Sequence, residues 1–240
     1  MAILNDYNKL SESYQQTAVK PDKQFSTLPT VLKIAGNFEN KVILDLGCGS
    51  GFFSNEFARG GAKKAIGIDN SVEQINLAKK NPLENTEYII GDIFTDKLPS
   101  TDIVLAPYVV NYATDTKQLV KLFQNIYSSL NANGKLIIVV DLPEGKDLKK
   151  FGAIKNVLGE KVDGAKIEIQ LFNNEKFILS LNAFYFTPST LENSLRSVGF
   201  SDISWHKPII SNEGVDKLSS EFWKGYIESP ELGYISANKI

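Results

Sequence analysis

The sequence predicts an α/β protein built on a doubly wound, mostly parallel β-sheet. Five short runs of β-branched and other apolar residues alternate with segments whose apolar residues recur at helical spacing. The first run, residues 42–46, leads into a turn with glycine at every second position, Gly47, Gly49 and Gly51. Strands that alternate with helices pair in parallel, because each crossover returns the chain to the same edge of the sheet.

The predicted elements follow one another in a regular order. Gly60 and Gly61 end the helix predicted after the first strand, and Ser71 is placed to cap the helix predicted after the second strand. The predicted strands are residues 42–46, 65–68, 87–90, 103–106 and 136–140. The predicted helices around them are residues 27–36, 52–59, 71–80 and 115–130. A turn at Asn133 and Gly134 precedes the fifth strand.

The two ends and one internal segment depart from this alternation. We expect one domain over residues 1–240, with an N-terminal helical cap at residues 1–36 and an inserted substrate cap at residues 143–186. In the insertion, residues 143–164 look irregular with a short helix, and the runs 167–172 and 177–186 predict a β-hairpin. Regular elements then resume as a helix at 188–198, a strand at 203–205, a helix at 218–226 and an edge strand at 232–237.

Composition narrows the class of protein. The chain has 240 residues, 42% of them hydrophobic, and a net charge of −2, which suits one sizeable core and gives no strong positive field for nucleic acid. The single cysteine excludes an intramolecular disulfide. No run approaches the roughly 18 apolar residues of a membrane span, and no signal peptide is recognisable. We therefore expect a cytoplasmic protein, a monomer or a homodimer, that binds neither nucleic acid nor membrane.

The glycine turn indicates which ligand the sheet binds. A dinucleotide-binding turn has the spacing G-x-G-x-x-G, whereas here the third glycine, Gly51, comes one residue early and Phe52 takes its usual place. Asp45 is the last residue but one of this strand, just before the turn. Its carboxylate would repel a pyrophosphate and attract an ammonium group. The turn therefore favours a cationic adenosine ligand without phosphate, such as S-adenosylmethionine, over the alternative of an ordinary strand–helix loop.

Two further carboxylates follow the second and third strands. Asp69 lies about 20 residues past the glycines, where an acidic residue accepts hydrogen bonds from ribose hydroxyls. Asp92 can accept a hydrogen bond from an adenine amino group while Ile93 covers the ring. The alternatives are a helix cap for Asp69 and a simple turn residue for Asp92.

The segment after the fourth strand, residues 106–112, should form the floor of the reaction site, because ligands of open α/β sheets lie outside the carboxyl ends of the strands. Its polar members are Tyr108, Asn111 and Tyr112, and hydrophobic packing is the alternative role for the segment. Tyr7 and Tyr14 lie two turns apart on an N-terminal helix and share a face. His206, the one histidine, is a candidate substrate contact, although a structural role is the alternative.

The order of these motifs over residues 40–141 resembles the class I S-adenosylmethionine-dependent methyltransferases. The resemblance implies a seven-stranded sheet whose last strand is antiparallel, and it places the methionine end of the cofactor near Asp45, Gly47 and the N-terminal tyrosines. One departure is Ala132-Asn133-Gly134, where that family often has Pro-Gly-Gly. The implied cofactor contacts are Tyr7, Tyr14, Asp45, Gly47, Cys48, Gly49, Gly51, Asp69, Asn70, Ser71, Asp92, Ile93, Ala106 and Tyr108.

A narrower resemblance concerns the acceptor. Residues 107–113 and the tail from Trp205 to Pro230 look like the corresponding segments of toxoflavin synthase-like methyltransferases, which implies methylation of a ring nitrogen in an azapteridine-like heterocycle. The candidate catalytic residues are Tyr108, Asn111 and His206, with no metal, because methyl transfer from a sulfonium mainly needs proximity and orientation. A protein, RNA or quinone acceptor, or a non-catalytic S-adenosylmethionine- or S-adenosylhomocysteine-binding protein, remains an alternative.

Overall fold

The computed structural model describes residues 4–17 and 20–240. The N-terminal part is helical and contains α1 (Tyr7–Gln15), a π-helix (Lys23–Thr27) and α2 (Leu28–Ala35). Alternating strands and helices follow: β1 (Val42–Leu46), α3 (Phe52–Arg59), β2 (Lys64–Asp69), α4 (Val72–Ala78), β3 (Thr86–Ile90), β4 (Thr101–Pro107), α5 (Thr116–Ser129) and β5 (Leu130–Asp141). The second half contains β6 (Asp147–Leu148), β7 (Ala153–Leu158), β8 (Lys166–Asn173), β9 (Lys176–Phe184), α6 (Pro188–Val198), β10 (Ser201–His206), α7 (Asn212–Phe222) and β11 (Leu232–Asn238).

The main sheet confirms the predicted fold class. Its seven strands lie in the order β10-β11-β5-β4-β1-β2-β3, and β11 is antiparallel to both of its neighbours. The apolar side chains of the central strands alternate between two cores. Leu44 and Val104 pack under α5 and α6, whereas Ile43 and Ile103 pack under α2 and α3. Burial on both faces explains why these strands are nearly continuous apolar runs in the sequence.

The strand order reverses at β1, which pairs with β2 on one side and with β4 on the other. A crevice opens at such a switch point, outside the carboxyl ends of the strands. The turn after β1 and the segment after β4 therefore face each other. Their approach is close, because a Cβ built on Gly47 would lie 2.3 Å from Cγ1 of Val109.

A second sheet, with strand order β6-β7-β8-β9, is antiparallel throughout. It contains the predicted hairpin as β8 and β9. The connection between them is tight, with Asn174 and Glu175 at φ of 48° and 60°, the left-handed values that a two-residue hairpin turn requires. The prediction that residues 143–164 are irregular was wrong, since they contain β6 and β7, whereas the short helix predicted there is present as a 3₁₀-helix at Lys149–Phe151. Strand β7 was missed because Lys155 occupies one of its buried positions and interrupts the apolar pattern.

The predicted start of one helix was also wrong. Helix α7 begins at Asn212 rather than at residue 218, because Oγ of Ser211 accepts the backbone N–H of Gly214 at 3.1 Å and caps the helix there. The turn predicted at Asn133 and Gly134 falls within an irregular first part of β5, whose pairing with β4 shifts register there. Among the helices in residues 4–17 and 20–240, none is long and apolar enough to cross a lipid bilayer.

Candidate active site

The glycine turn has a backbone that other residues would strain. Gly47, Gly49 and Gly51 adopt φ values of 63°, 54° and 85°, in the left-handed region. A Cβ at Gly51 would lie 2.4 Å from the hydroxyl of Tyr88, so the side-chain position there is already filled. The backbone of Gly47 is exposed at the end of β1. The turn therefore presents bare backbone to the crevice.

Asp69 fixes this turn from the neighbouring strand. Its Oδ2 accepts the N–H of Gly49 and its Oδ1 accepts the N–H of Ser71, both at 2.9 Å. Burial raises the pKa of the carboxyl, and these two backbone hydrogen bonds oppose that shift. A carboxylate has about four lone-pair sites, so two remain for ligand hydroxyls. The cap of α4 is Ser71, whose Oγ accepts the N–H of Gln74 at 3.2 Å, while Asn70 beside it is exposed.

Asp45 lies below the turn and is only 1% exposed. Its Oδ2 accepts the backbone N–H of Ser54 at 3.0 Å and the Ser54 hydroxyl at 2.7 Å. Its Oδ1 is buried and has no partner among the described residues. Burial raises the pKa of Asp45 to about 6. Because a buried carboxylate with an unpaired oxygen is costly, this site fits a ligand that brings a positive group to the turn.

Three of the residues predicted to contact the cofactor have side chains in hydrophobic cores instead. Cys48 packs against Ile75 and Tyr88, and burial raises the pKa of its thiol. Ile93 and Ala106 lie in the core under α5. Ile93 keeps 8% of its surface exposed, and its contact with the ligand ring stays a prediction. Asp92 stays half-buried at the crevice, where its Oδ1 accepts the N–H of Phe94 at 2.9 Å.

Helix α1 lies across the carboxyl edge of the sheet. Its Asn8 accepts hydrogen bonds from the Ser71 hydroxyl at 2.9 Å and from the backbone N–H of Glu73 at 3.2 Å. The rings of Tyr7 and Tyr14 meet edge to face, 5.2 Å apart, which confirms that they share a face. The Tyr7 hydroxyl bonds that of Tyr112. These half-buried tyrosines connect the helix to the segment after β4 while leaving part of each ring accessible.

Tyr108 follows β4 with an unusual backbone φ of 64°. Its hydroxyl hydrogen-bonds Oγ of Thr27 at 3.1 Å, and the same Oγ bonds the hydroxyl of Tyr234 at 3.1 Å. Burial raises the pKa of Tyr108 well above its usual range, so the phenol stays protonated. Tyr108 can therefore position a ligand by hydrogen bonding, but it does not provide a base.

The position of Asn111 does not fit the catalytic role that was predicted for it. Its Nδ2 donates to the carbonyls of Asp141 at 3.2 Å and Phe184 at 2.9 Å, and its Oδ1 accepts the N–H of Asp141 at 2.8 Å. The side chain is fully buried, and these bonds occupy its amide. Asn111 therefore positions the ends of β5 and β9 and has no group free for a substrate.

His206 lies away from the crevice. It pairs in register with Tyr234, which pairs with Val139, which in turn pairs with Pro107 of β4. Three strand spacings of about 4.8 Å place it about 14 Å from β4. Its Nε2 hydrogen-bonds Oγ of Ser236 at 2.8 Å, and burial together with Lys135 lowers its pKa. The structure favours the structural alternative for this residue.

A buried ion pair at the end of β5 was not predicted. Oδ1 of Asp141 and Nζ of Lys155 lie 2.6 Å apart, with both side chains less than 10% exposed. Lys155 also donates to the carbonyl of Glu231 at 3.4 Å. The available signal was that Asp141 ends a predicted strand, as Asp69 does. In residues 4–17 and 20–240, no group of three histidine, cysteine or acidic side chains is arranged to hold a metal.

The model of one methyltransferase domain family matches residues 37–191, the part of the chain that carries the glycine turn, Asp69 and Tyr108. The chain belongs to this family. An uncharacterized protein of Haemophilus influenzae is 24% identical over 98% of this chain and 96% of its own length. A putative protein N5-glutamine methyltransferase of Methanocaldococcus jannaschii is 25% identical over 64% of this chain and 79% of its own.

The solved structures share the fold. An S-adenosylmethionine-dependent methyltransferase of Mesorhizobium loti superposes with a TM-score of 0.64 at 18% identity, over 88% of this chain and 96% of that one. The family match and the sheet order confirm the class I methyltransferase expectation. The chain is an enzyme of this class, and S-adenosylmethionine is its cofactor. The exposed glycine turn and the unpaired oxygen of Asp45 fit that cofactor.

Asp69→Ala is expected to weaken S-adenosylmethionine binding by roughly 10- to 100-fold, the value of a hydrogen bond to a charged group. Calorimetric titration of the folded variant checks this, with Asp216→Ala as a control because Asp216 is exposed on α7. Unchanged affinity in a folded Asp69→Ala variant would show that Asp69 does not bind the ribose hydroxyls.

Proposed function

We propose that this enzyme transfers the methyl group of S-adenosylmethionine to a small heterocyclic acceptor, at a ring nitrogen of an azapteridine-like compound, as toxoflavin synthase-like enzymes do. The observation that carries the proposal is the pairing of two unlike surfaces at one switch point. On one side is the glycine turn with its carboxylates. On the other is a group of hydroxyls around the half-buried Tyr108 that follows β4. This group, the hydroxyl cluster, is formed by Tyr108 and by the buried Ser26, Thr27, Tyr226 and Tyr234.

On the cofactor side, each residue has a separate task. The cofactor supplies an electrophilic methyl group on a sulfonium that is already activated. Asp69 would accept the ribose hydroxyls, with Asn70 and Ser71 beside it, and Asp92 would accept the adenine amino group. The turn from Gly47 to Gly51 lets backbone approach closely, and Tyr7 and Tyr14 would cover the methionine end from α1.

The hydroxyl cluster suits a neutral, planar acceptor. The hydroxyls of Ser26 and Tyr226 are buried close to each other and to that of Tyr234, but none of these contacts has the geometry of a full hydrogen bond. Buried hydroxyls left unpaired cost free energy, so they favour a ligand that supplies nitrogen and oxygen atoms. Burial raises the pKa of Tyr226 as it does that of Tyr108, so both remain hydrogen-bond donors. Orientation would then drive the transfer: the bond from the methyl carbon to the sulfonium sulfur breaks as the bond to the ring nitrogen forms, S-adenosylhomocysteine leaves, and the ring proton passes to solvent.

The covering elements support a small acceptor. Helix α1 and the second sheet meet over the carboxyl edge, where Asn5 exchanges two hydrogen bonds with the backbone of Asn182 on β9, at 2.8 and 2.9 Å. We infer that residues 1–36 and 143–186 act as caps over the substrate within a single domain. A cytoplasmic monomer or homodimer without nucleic-acid partners is part of the same proposal.

A protein acceptor is the second candidate, because the Methanocaldococcus jannaschii relative carries the name of a protein methyltransferase. A polypeptide would need an open groove at the carboxyl edge, and α1 lies across that edge. A third alternative is a protein that binds the cofactor but catalyses no reaction. It would transfer no methyl group to either a small molecule or a protein.

The test is incubation of the enzyme with S-adenosylmethionine and a panel of azapteridines, followed by mass spectrometry. We expect one added methyl group on a ring nitrogen. Thr27→Val, which removes the hydroxyl that joins Tyr108 to Tyr234, should lower kcat/KM for the acceptor roughly tenfold, since one hydrogen bond contributes about 1 kcal/mol and strain adds to it. Cofactor affinity should stay within about twofold, on the order of 0.4 kcal/mol. Methylation of a protein or quinone instead, or of no acceptor, would overturn the proposal.

A further inference from the structure

Lys23 is a half-buried cation that lies near the start of α3. It is the first residue of the π-helix. Its Nζ lies over the rings of Phe52 and Phe53, at 4.6 and 5.6 Å from their centres. Within residues 4–17 and 20–240, no carboxylate oxygen lies within the 4.0 Å of an ion pair with it. The adjacent Asp22 uses Oδ1 to accept the backbone N–H of Lys23 at 2.7 Å.

The position of Lys23 connects it to the glycine turn. Phe52, whose ring it covers, is the first residue of α3 and directly follows Gly51. Asp45 is near enough that each charge stabilises the other, although they form no direct ion pair. Lys20, which also faces Lys23, opposes its charge, and burial lowers the pKa of Lys23 to about 8. Two opposite charges therefore face one turn, and neither neutralises the other by contact.

This arrangement is complementary to a zwitterion. The amino-acid end of S-adenosylmethionine carries a carboxylate and an ammonium group on the same carbon, the α-carbon. The unpaired Oδ1 of Asp45 offers a site for the ammonium. A ligand carboxylate beside it needs a cation, and Lys23 presents one at the same turn without a competing carboxylate in contact.

We propose that Lys23 binds the α-carboxylate of the cofactor while Asp45 holds its α-ammonium. The two buried charges that the protein leaves apart are then each paired by the ligand. Thr27 of the hydroxyl cluster belongs to the same π-helix, so the segment that holds the cofactor carboxylate also lines the acceptor side. Lys23 is in this way a binding residue that ties the placement of the methyl donor to the acceptor site.

Calorimetric titration with two ligands tests the assignment. The ligands are S-adenosylmethionine and decarboxylated S-adenosylmethionine, which lacks only the carboxylate. For the natural enzyme, removing the carboxylate should weaken binding by roughly 10- to 100-fold. Lys23→Met should weaken binding of S-adenosylmethionine by a similar factor and should bind both ligands equally. Lys33→Met, an exposed lysine on α2, should behave as the natural enzyme does.

Each outcome decides the assignment. If Lys23→Met loses the same factor for both ligands, Lys23 does not contact the carboxylate, and unchanged affinity for S-adenosylmethionine overturns the proposal equally. Lys23→Arg should keep the preference for the carboxylated ligand, and Lys23→Gln gives the same comparison if the methionine variant does not fold. The test needs no acceptor, so failure to methylate azapteridines would leave its result unaffected.

Discussion

Replacing Lys155 by methionine is expected to destabilise the folded enzyme by about 3–5 kcal/mol, the cost of leaving a buried charge without its partner. The carboxylate of Asp141 is 4% exposed and has the Lys155 ammonium 2.6 Å away as its counter-charge. Methionine fills much the same volume but leaves that carboxylate unpaired. Urea unfolding of both proteins measures the difference, which is a large share of the roughly 5–15 kcal/mol of a typical domain.

Two controls separate the ion pair from packing. Lys166→Met changes an exposed lysine on the neighbouring strand β8 and should shift stability by less than about 0.5 kcal/mol. Adding Asp141→Asn to Lys155→Met removes the orphaned charge and should restore part of the loss. If the double variant is no more stable than Lys155→Met, the effect comes from side-chain packing and not from an unpaired charge.

The second large effect is expected from Gly47→Ala, which should lower both stability and cofactor affinity. The residue has a φ of 63°, where a Cβ costs roughly 1–2 kcal/mol. That Cβ would also lie 2.3 Å from Cγ1 of Val109, and relieving such a clash adds typically about 1–3 kcal/mol. Moving either segment opens the switch point, so affinity for S-adenosylmethionine should fall at least about tenfold.

Gly225→Ala provides a control for the cost of a Cβ at positive φ. Its φ is 82°, and its Cβ would meet nothing within 4 Å. Adding Val109→Ala to Gly47→Ala should recover the part of the loss that is due to the clash. Equal destabilisation by Gly225→Ala and Gly47→Ala, measured by thermal and urea unfolding, would contradict the close approach.

The sequence predicts the central sheet well, because there one physical signal dominates. Strand β1 is apolar on both faces, and the helices beside it show regular apolar spacing and recognisable ends, as at Gly199 after α6. Strand β7 was not predictable in this way. Its buried Lys155 has no local rationale, since the partner that neutralises it, Asp141, lies on another sheet.

The residues of the candidate active site were likewise only partly predictable from the sequence. Gly47 and Asp69 could be assigned from spacing, because the backbone of a tight turn restricts which residues fit. Asn111 was misassigned because the sequence shows only that a polar residue follows a strand. It does not show that the side-chain amide of Asn111 already hydrogen-bonds the carbonyls of Asp141 and Phe184. Lys23 gave no signal, because a short π-helix leaves no distinct periodicity in five residues.

The amide of Asn111 has a consequence for how this chain can change over evolutionary time. An inserted segment attached only by its two chain ends could be exchanged by recombination without altering its host. Here the loss of residues 143–186 would deprive Asn111 of the Phe184 carbonyl and Asp141 of the Lys155 ammonium. A replacement of residues 143–186 would therefore have to be matched by compatible residues at positions 111 and 141, so we expect these positions to vary together.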